Sequence, residues 1–269
     1  MTAFNREKYI AAAIDSVLAS SYTRFELIIV DDISSDNTVA IARSYAEKDP
    51  RVKVFINEKN LGDYPNRNKA AGYARGKYLK YVDADDYIYP WGLQLLVNMM
   101  ESFPEAGWGL CSLDQYIGKP FPFQLGPREA YEYHYLGPGL FHKAPLSSII
   151  KKSTFDEVAG FAPIRMCGDF EMWHRLARSY PVVLMPHGMV WYRSHGEQEM
   201  NSHRNFIGEY EKITAASLSD ERCPLDKTLV DQIIRKTRKT LYKGMLKGLL
   251  SFNRNRIREN QVRLRQYKN

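Results

Sequence analysis

Two short apolar runs constrain this chain most. FELIIV at residues 25–30 leads into Asp31 and Asp32, and YLKYV at residues 78–82 leads into Asp83, Asp85 and Asp86. Each run reads as a buried strand. Aspartate is a poor strand former and is costly to desolvate unless something pairs with it. Three carboxylates at the mouth of a hydrophobic strand therefore have two readings. One is a solvated turn with a helix cap. The other is a divalent-cation site with phosphate oxygens on its far side, because Mg²⁺ and Mn²⁺ prefer oxygen ligands.

The segments between these runs set the fold class. Residues 6–20 carry Tyr9, Ile10, Ala13, Ile14, Val17 and Leu18 at the 3–4 spacing of an amphipathic helix. Ser35 or Asp36 is placed to cap a second helix running to about residue 48. Residues 51–56 alternate as a strand, residues 65–75 read as a helix, and Pro90 opens another over residues 91–103. Strands alternating with helices of this length predict an α/β architecture with a mostly parallel sheet. Ligands of such sheets bind beyond the carboxyl ends of the strands, where both acidic clusters fall. Residues 119–143 are rich in Pro, Gly and aromatics without clean periodicity, and read as loops and short strands shaping a pocket. Residues 153–159 and 169–180 read as helices, and residues 182–185 and 189–192 as short strands. Everything from residue 205 onward reads as helical, and no internal repeat is evident.

Charge and cysteine usage exclude other classes. The formal net charge is +7, but residues 225–269 hold thirteen Lys/Arg against three Asp/Glu, so the rest of the chain is slightly acidic. Basicity confined to a tail argues against a nucleic-acid binder. Cys111, Cys167 and Cys223 are widely spaced and form neither a zinc pattern nor a disulfide framework, which fits a reducing cytosol. No apolar run is long enough to span a membrane, and the start has no signal-peptide core. Within the tail, Leu229, Ile233, Leu241, Met245 and Leu249 form an apolar stripe bordered by Lys and Arg. Such a helix either packs on the body of the protein or lies on an anionic membrane surface.

Five motifs in order give the chain a family resemblance. They are MTAFNRE (1–7), IIVDDISSDNT (28–38), NLGDYPNRNKAAGYARGKYLKYVDADD (60–86), AGFAPIRMCGDFEMWHRL (159–176) and WYRSH (191–195). Together they resemble the family 2 glycosyltransferases, which have the GT-A fold and use nucleotide-sugars. The resemblance runs from Met1 to about His195. It implies a GT-A domain over residues 1–204, followed by a helical basic extension over residues 205–269. It also implies transfer of a sugar from a nucleoside-diphosphate donor to a glycan or lipid-linked acceptor hydroxyl with inversion, in bacterial surface-polysaccharide synthesis. The expected cofactor is Mn²⁺ or Mg²⁺, and the expected location is cytoplasmic, with the tail at the inner face of the plasma membrane.

The resemblance assigns Asp85 to the metal and Asp83 to the ribose and a metal-bound water. It makes Asp169 the general base, where the plainer reading is a carboxylate at a helix N-terminus. It gives His195 a metal or phosphate contact, where the plainer reading is an ordinary surface histidine. Thr2 and Ala3 belong to the opening nucleotide-binding loop. Asp32, at a strand end, can accept a hydrogen bond from a base imide N–H, which favours uracil or thymine. Arg67 could pair with the diphosphate or the base edge, with Asn68 beside it. For both, a packing role is an equal reading. Asp86 orients the acidic cluster or caps the next segment. Glu171, two positions after Asp169, points to another helix face.

There are two departures. Gly168 stands where the family usually has Glu before the catalytic acid. The family's first strand, an apolar run before the opening loop, is missing because the chain begins at Met1, which implies unpaired ladder groups and a weakened nucleotide pocket. Three rivals share parts of the pattern. A sugar nucleotidyltransferase would show a Gly-rich basic loop that MTAFNRE lacks. A signalling receiver domain leaves the later motifs unexplained, and a catalytically impaired nucleotide-sugar-binding protein of the same fold fits the truncated start.

Overall fold

The computed structural model describes residues 1–115, 118–196 and 205–267. The expected boundary after residue 204 falls at the edge of a stretch, 197–204, outside the described residues.

A three-stranded parallel sheet opens the fold, in the order β1 (Thr2–Ala3), β2 (Leu27–Asp31) and β3 (Val52–Ile56). All five residues of β2 are buried, the continuous apolar pattern of a strand covered on both faces. Two helices connect these strands, α1 (Ile10–Leu18) and α2 (Thr38–Ala46). On α1, Ile10, Ala13, Ile14 and Val17 are the buried apolar face. Asn37 rather than Ser35 or Asp36 is the boundary residue of α2, although the Asp36 carboxylate still accepts from the Thr38 N–H at 3.0 Å. The first strand is short, and its register pairs only Thr2 with Val30 and Ala3 with Asp31. Val30 N–H donates to the Met1 carbonyl and Asp32 N–H to the Ala3 carbonyl, while the Met1 ammonium donates to the Ile28 carbonyl. Residues 1–3 thus cover only the carboxyl-terminal part of β2, as the expected truncation of the first strand implies.

After α3 (Asp63–Tyr73) the chain enters a second, five-stranded sheet. Its strands are β4 (Tyr78–Leu79), β6 (Trp108–Leu113), β7 (Phe123–Leu125), β8 (Ser148–Lys151) and β9 (Val182–Pro186), ordered β4-β8-β6-β9-β7. Only the β6–β9 pair is parallel; the other three are antiparallel. The strand expected to run to Asp83 stops at Leu79. The next residues leave β8 and pass between two apolar cores, Tyr81 packing into one and Val82 into the other. Asp83 therefore sits on an extended crossing segment and not at the end of a laddered strand.

A third, two-stranded sheet joins distant motifs. β5 (Tyr87–Ile88) pairs antiparallel with β10 (Val190–Trp191), Trp191 opposite Tyr87. This pairing brings residues 193–195 onto the acidic segment 83–86.

Helices α4 (Gly92–Glu101), α5 (Pro127–Tyr135), α6 (Lys152–Glu157) and α7 (Gly168–Ser179) cover the sheets. Helix α5 lies where loops and short strands were expected. Pro127 at its first position and the Glu129 carboxylate on the Gly126 N–H start it, and Ala130, Tyr131 and His134 form its inner face. The larger core centres on Trp108 of β6, stacked on Trp173 of α7 at 5.3 Å.

The C-terminal helices are α8 (Ile207–Ser219), α9 (Lys227–Leu250) and α10 (Arg254–Arg265). Asp226 caps α9 through the Leu229 N–H and Asn253 caps α10 through the Arg256 N–H. Ile213, Leu218, Leu225 and Ile233 share the Trp108 core, with Leu229 packed against it. Leu241 lies under α10 beside Leu264 and Tyr267, with Met245 against them. Four of the five residues in the expected stripe thus turn inward; Leu249 alone is exposed.

Candidate active site

A cleft of 1710 Å³ runs from the carboxyl ends of β1 and β2 to the C-terminal helices. Thr2, Ala3, Asp32, Arg67, Asp83, Asp85 and Asp169 all line it. His195 reaches it through Asp85.

At one end, loops interlock through short polar bonds. Asp31 accepts from both the N–H and the hydroxyl of Ser34. Glu7 accepts from the backbone and side-chain N–H groups of Asn37. Asp32 is buried, and its carboxylate accepts from Asn57 Nδ2 at 2.7 Å, Leu61 N at 2.8 Å and Gly62 N at 2.9 Å. It shapes the Asn60–Gly62 turn, where Gly62 takes φ +80°, and keeps lone-pair capacity for one further donor.

Arg67 is paired with carboxylates of the chain itself, the packing role that was its equal reading. Its Nη1 and Nη2 form a fork on Asp83 at 2.6 and 2.8 Å, and its Nε reaches Asp63 at 2.8 Å. The guanidinium is spent on carboxylates of the chain and not held out toward a phosphate. Burial opposes ionisation of Asp83, but Arg67 outweighs it and lowers the Asp83 pKa. Asp86 is the opposite case. Burial first, and the charge of Asp83 second, hold its carboxyl well above the usual range, with one oxygen accepting from the Arg193 N–H. Asn68, once a candidate beside Arg67, is structural: it exchanges two 2.8 Å bonds with the backbone of Phe161.

Asp85 is the hub. Its Oδ2 meets Arg6 Nε at 2.8 Å and His195 Nε2 at 3.0 Å, while Arg193 Nε donates to its backbone carbonyl at 2.7 Å. The His195 ring lies 4.6 Å from that of Tyr9. The Asp85 carboxylate oxygen is a ligand that Mn²⁺ or Mg²⁺ prefers, while the adjacent His195 nitrogen is a softer ligand than Mg²⁺ readily takes. Among the described residues no group of three or more His, Cys, Asp or Glu converges, so phosphate and water oxygens would have to complete the coordination.

Helix α3 links this end to Asp169. Tyr64 lies one turn before Arg67, and its hydroxyl is near enough to Asp169 to favour the ionised carboxylate against burial. The carboxylate also accepts from the Phe170 N–H at 2.7 Å. Burial pushes the Asp169 pKa up to about 6. Glu171 is tied to Arg175 by two bonds and does not line the cleft. Gly168 has a steric cause: a Cβ there would stand 2.6 Å from the Tyr64 ring and 2.8 Å from the Ala162 carbonyl.

Beyond Asp169 the cleft turns aromatic. His142 stacks on Phe170 at 4.8 Å, and Tyr210 of α8 closes on Phe170 at 5.0 Å. Behind them the imidazole of His174 donates from Nδ1 to the Phe170 carbonyl and accepts from the Tyr135 hydroxyl; burial pushes its pKa down to about 3. Ile207, Thr214, Thr237 and Arg263 continue the wall, with Arg263 anchored on Glu211. Arg6, Tyr64, His142 and Tyr210 were absent from the sequence candidates. Arg6 lay inside a quoted motif, and Tyr64 stood at helical spacing from Arg67; nothing local marks the other two.

Comparison with known proteins bears on the family and the fold. The family model "Glycosyl transferase family 2" matches residues 1–163. The uncharacterized glycosyltransferase MJ1057 of Methanocaldococcus jannaschii is 30% identical over 205 residues, which is 72% of this chain and 69% of that one. The Escherichia coli UDP-Glc:alpha-D-GlcNAc-diphosphoundecaprenol beta-1,3-glucosyltransferase WfgD is 33% identical over 44% of this chain and 48% of its own, so the match spans about half of that relative. Among solved structures, S. aureus TarS 1-349 in complex with UDP-GlcNAc superposes with a TM-score of 0.68 at 19% identity, covering 99% of this chain and 89% of that one, a likeness of fold. With parallel strands feeding an acidic cleft and the family model covering most of that framework, this chain belongs to the family 2 glycosyltransferases and has their GT-A fold.

Proposed function

We propose that the chain transfers a sugar from a nucleoside diphosphate, with UDP preferred, to an acceptor hydroxyl with inversion at the anomeric carbon. The observation that carries this reading is Asp169, a carboxyl with its pKa raised to about 6, lying in one cleft with Asp85 and between its acidic and aromatic ends. A base of that pKa is ionised at neutral pH yet basic enough to take a proton. The acceptor hydroxyl would lose its proton to Asp169 as its oxygen attacks the anomeric carbon, and the diphosphate would leave from the opposite face. Thr2, Ala3 and Asp32 form the nucleotide wall, where Asp32 accepts the uracil imide N–H. Asp83 faces the ribose, and Arg67 acts through Asp83 by keeping it ionised and oriented.

Asp85 and His195 would hold Mn²⁺ or Mg²⁺, which supplies Lewis-acid stabilisation of charge on the departing diphosphate. Arg6 then serves as the counter-charge of Asp85 before the donor arrives.

The donor named for WfgD and the UDP-GlcNAc bound to TarS support UDP. The diphosphoundecaprenol in WfgD's name supports a lipid-linked glycan acceptor and a place in bacterial surface-polysaccharide assembly. On this reading residues 1–204 are the catalytic domain, and residues 205–269 are an extension that walls the acceptor end and meets an anionic membrane surface on its cytoplasmic side. No helix among the described residues is long and apolar enough to cross a membrane.

Asp169→Asn tests the reading. It keeps the shape of the side chain but cannot take the proton, so turnover should fall about 10²–10⁴-fold with UDP-sugar affinity unchanged. Retention of more than about a tenth of turnover would overturn the assignment. The anomeric configuration of the product, read by NMR, checks inversion.

A further inference from the structure

The apolar residues of α9 divide between two faces. Leu241, Met245 and Gly248 lie against α10, where a Cβ on Gly248 would meet Ile257 at 2.8 Å. About a third of a turn away, Tyr242, Leu246, Leu249 and Leu250 form a second, exposed stripe. Leu246 is 57% exposed, Leu249 58% and Leu250 75%, and Phe252 in the following turn is 92% exposed. Four large apolar side chains gathered at one tip are not the scattered exposure normal for a soluble surface.

The charges around the tip are of one sign. Lys239, Lys243 and Lys247 form the neighbouring stripe of α9, and Arg254, Arg256 and Arg258 open α10. Glu259 is the single acidic residue between positions 232 and 267. No ion pair among the described residues engages any of these six cations.

We propose that the α9–α10 tip is a membrane-insertion site. Leu246, Leu249, Leu250 and Phe252 enter the acyl boundary of an anionic bilayer, while the flanking Lys and Arg side chains hold the headgroups. Long basic side chains suit this because their stems follow apolar groups into the interface and their charged ends stay among the phosphates. A protein partner would need an apolar pocket ringed by acids, whereas an anionic leaflet offers both features as a continuous surface. The chain's own charge distribution agrees, since the slightly acidic body is repelled by such a surface and the tail is drawn to it. Thr237, on the cleft wall, lies thirteen residues before Leu250 on the same helix, about 20 Å along its axis. The contact would thus hold the acceptor end of the cleft at a fixed height above the lipid. This proposal gives a place and a geometry to the membrane contact proposed for the extension, but requires no step of the transfer reaction.

The test is co-sedimentation of the full chain with vesicles of phosphatidylcholine alone and of phosphatidylcholine mixed with phosphatidylglycerol. Binding to the anionic vesicles should be at least about tenfold tighter, and should weaken steeply with added salt. The L249S/L250S/F252S variant should lose about tenfold or more of that binding, as should K243Q/K247Q/R254Q. Turnover on a water-soluble acceptor should be unchanged in both, because none of these side chains lines the cleft. Equal binding to both vesicles, or full binding by the serine variant, would overturn the proposal. So would a concentration-dependent dimer of the wild-type chain, lost in the serine variant, which would assign the tip to a second copy. Failure of transfer with vesicle binding intact would count against the reaction and not against the tip.

Discussion

The two ends of the cleft solve opposite problems. The acidic end is built from the first sheet and the 83–86 segment, and its charges are matched within the chain: Asp83 by Arg67, Asp85 by Arg6, and Asp32 by backbone and amide N–H groups. The aromatic end is built from α5, α7 and α8, and its inner imidazoles are held neutral by burial, with His134 and His174 both pushed below the ordinary histidine range. A region that on the proposed reading would receive a charged diphosphate has exchangeable counter-charges. A region that would receive an uncharged sugar offers ring faces and fixed dipoles. Asp169 lies between them, coupled to the first end through Tyr64 and to the second through Phe170.

The largest effect expected at the acidic end is from Asp85→Ala. It removes the carboxylate common to Arg6 and His195, so Mn²⁺-dependent UDP affinity should fall about 100-fold or more while acceptor KM is unmoved. Isothermal calorimetry with and without Mn²⁺ reads this, and unchanged affinity would break the division of roles. Arg67→Met comes next, as a stability effect. Leaving Asp83 without its counter-charge should cost about 3 kcal/mol at neutral pH. Because Arg67 lowers the Asp83 pKa in the folded state, that stabilisation is present above the ordinary carboxylate pKa and is lost as pH falls below it. The gap between wild type and variant in denaturant melts should therefore close in acid; a gap that persists would mean the cost is packing.

Gly168→Ala probes the junction. Its Cβ would be driven into the Tyr64 ring and the Ala162 carbonyl, an overpacking cost of about 1–3 kcal/mol, with a drop in turnover as Asp169 is displaced. Wild-type melting and turnover would show that the glycine is incidental. The gentlest test is pH. With the Asp169 pKa raised to about 6, the base is protonated below that value, so kcat should fall about tenfold per unit on the acid side. A raised carboxyl pKa also means that this group's burial weighs against folding as pH rises toward 6. Asp169→Asn should accordingly be more stable than wild type at pH 7, and a less stable variant would show that hydrogen bonding to the carboxylate matters more than its burial.

Much of the acidic end was legible because it is local. The FELIIV run became β2 with Asp31 at its end and Asp32 just beyond, and the helices flanking it fell near their expected places. Errors came where distant segments supply the partner. Residues 80–83 have a strand-like composition, but β8 accompanies only Tyr78 and Leu79. Helix α5 was hidden because its inner face is tyrosine and histidine, residues that resemble a pocket lining until α7 covers them. The C-terminal stripe was readable as a stripe, but periodicity cannot say whether a protein core or a lipid surface will cover it.

The sequence by itself determined the alternation of strands and helices, the acidic residues that end two apolar segments and the basic character of the tail, because each depends on spacing within one segment. Tertiary structure alone decided which carboxylate meets which cation. Arg67 could have faced a phosphate, and only the crossing of residues 80–83 over α3 turned it to Asp83. His195 could have been a surface histidine, and only the β5–β10 pairing set it on Asp85. The physical reason is range: helix and strand preferences arise between neighbours along the chain, whereas desolvated charges take their partners from whatever the fold brings within about 3 Å.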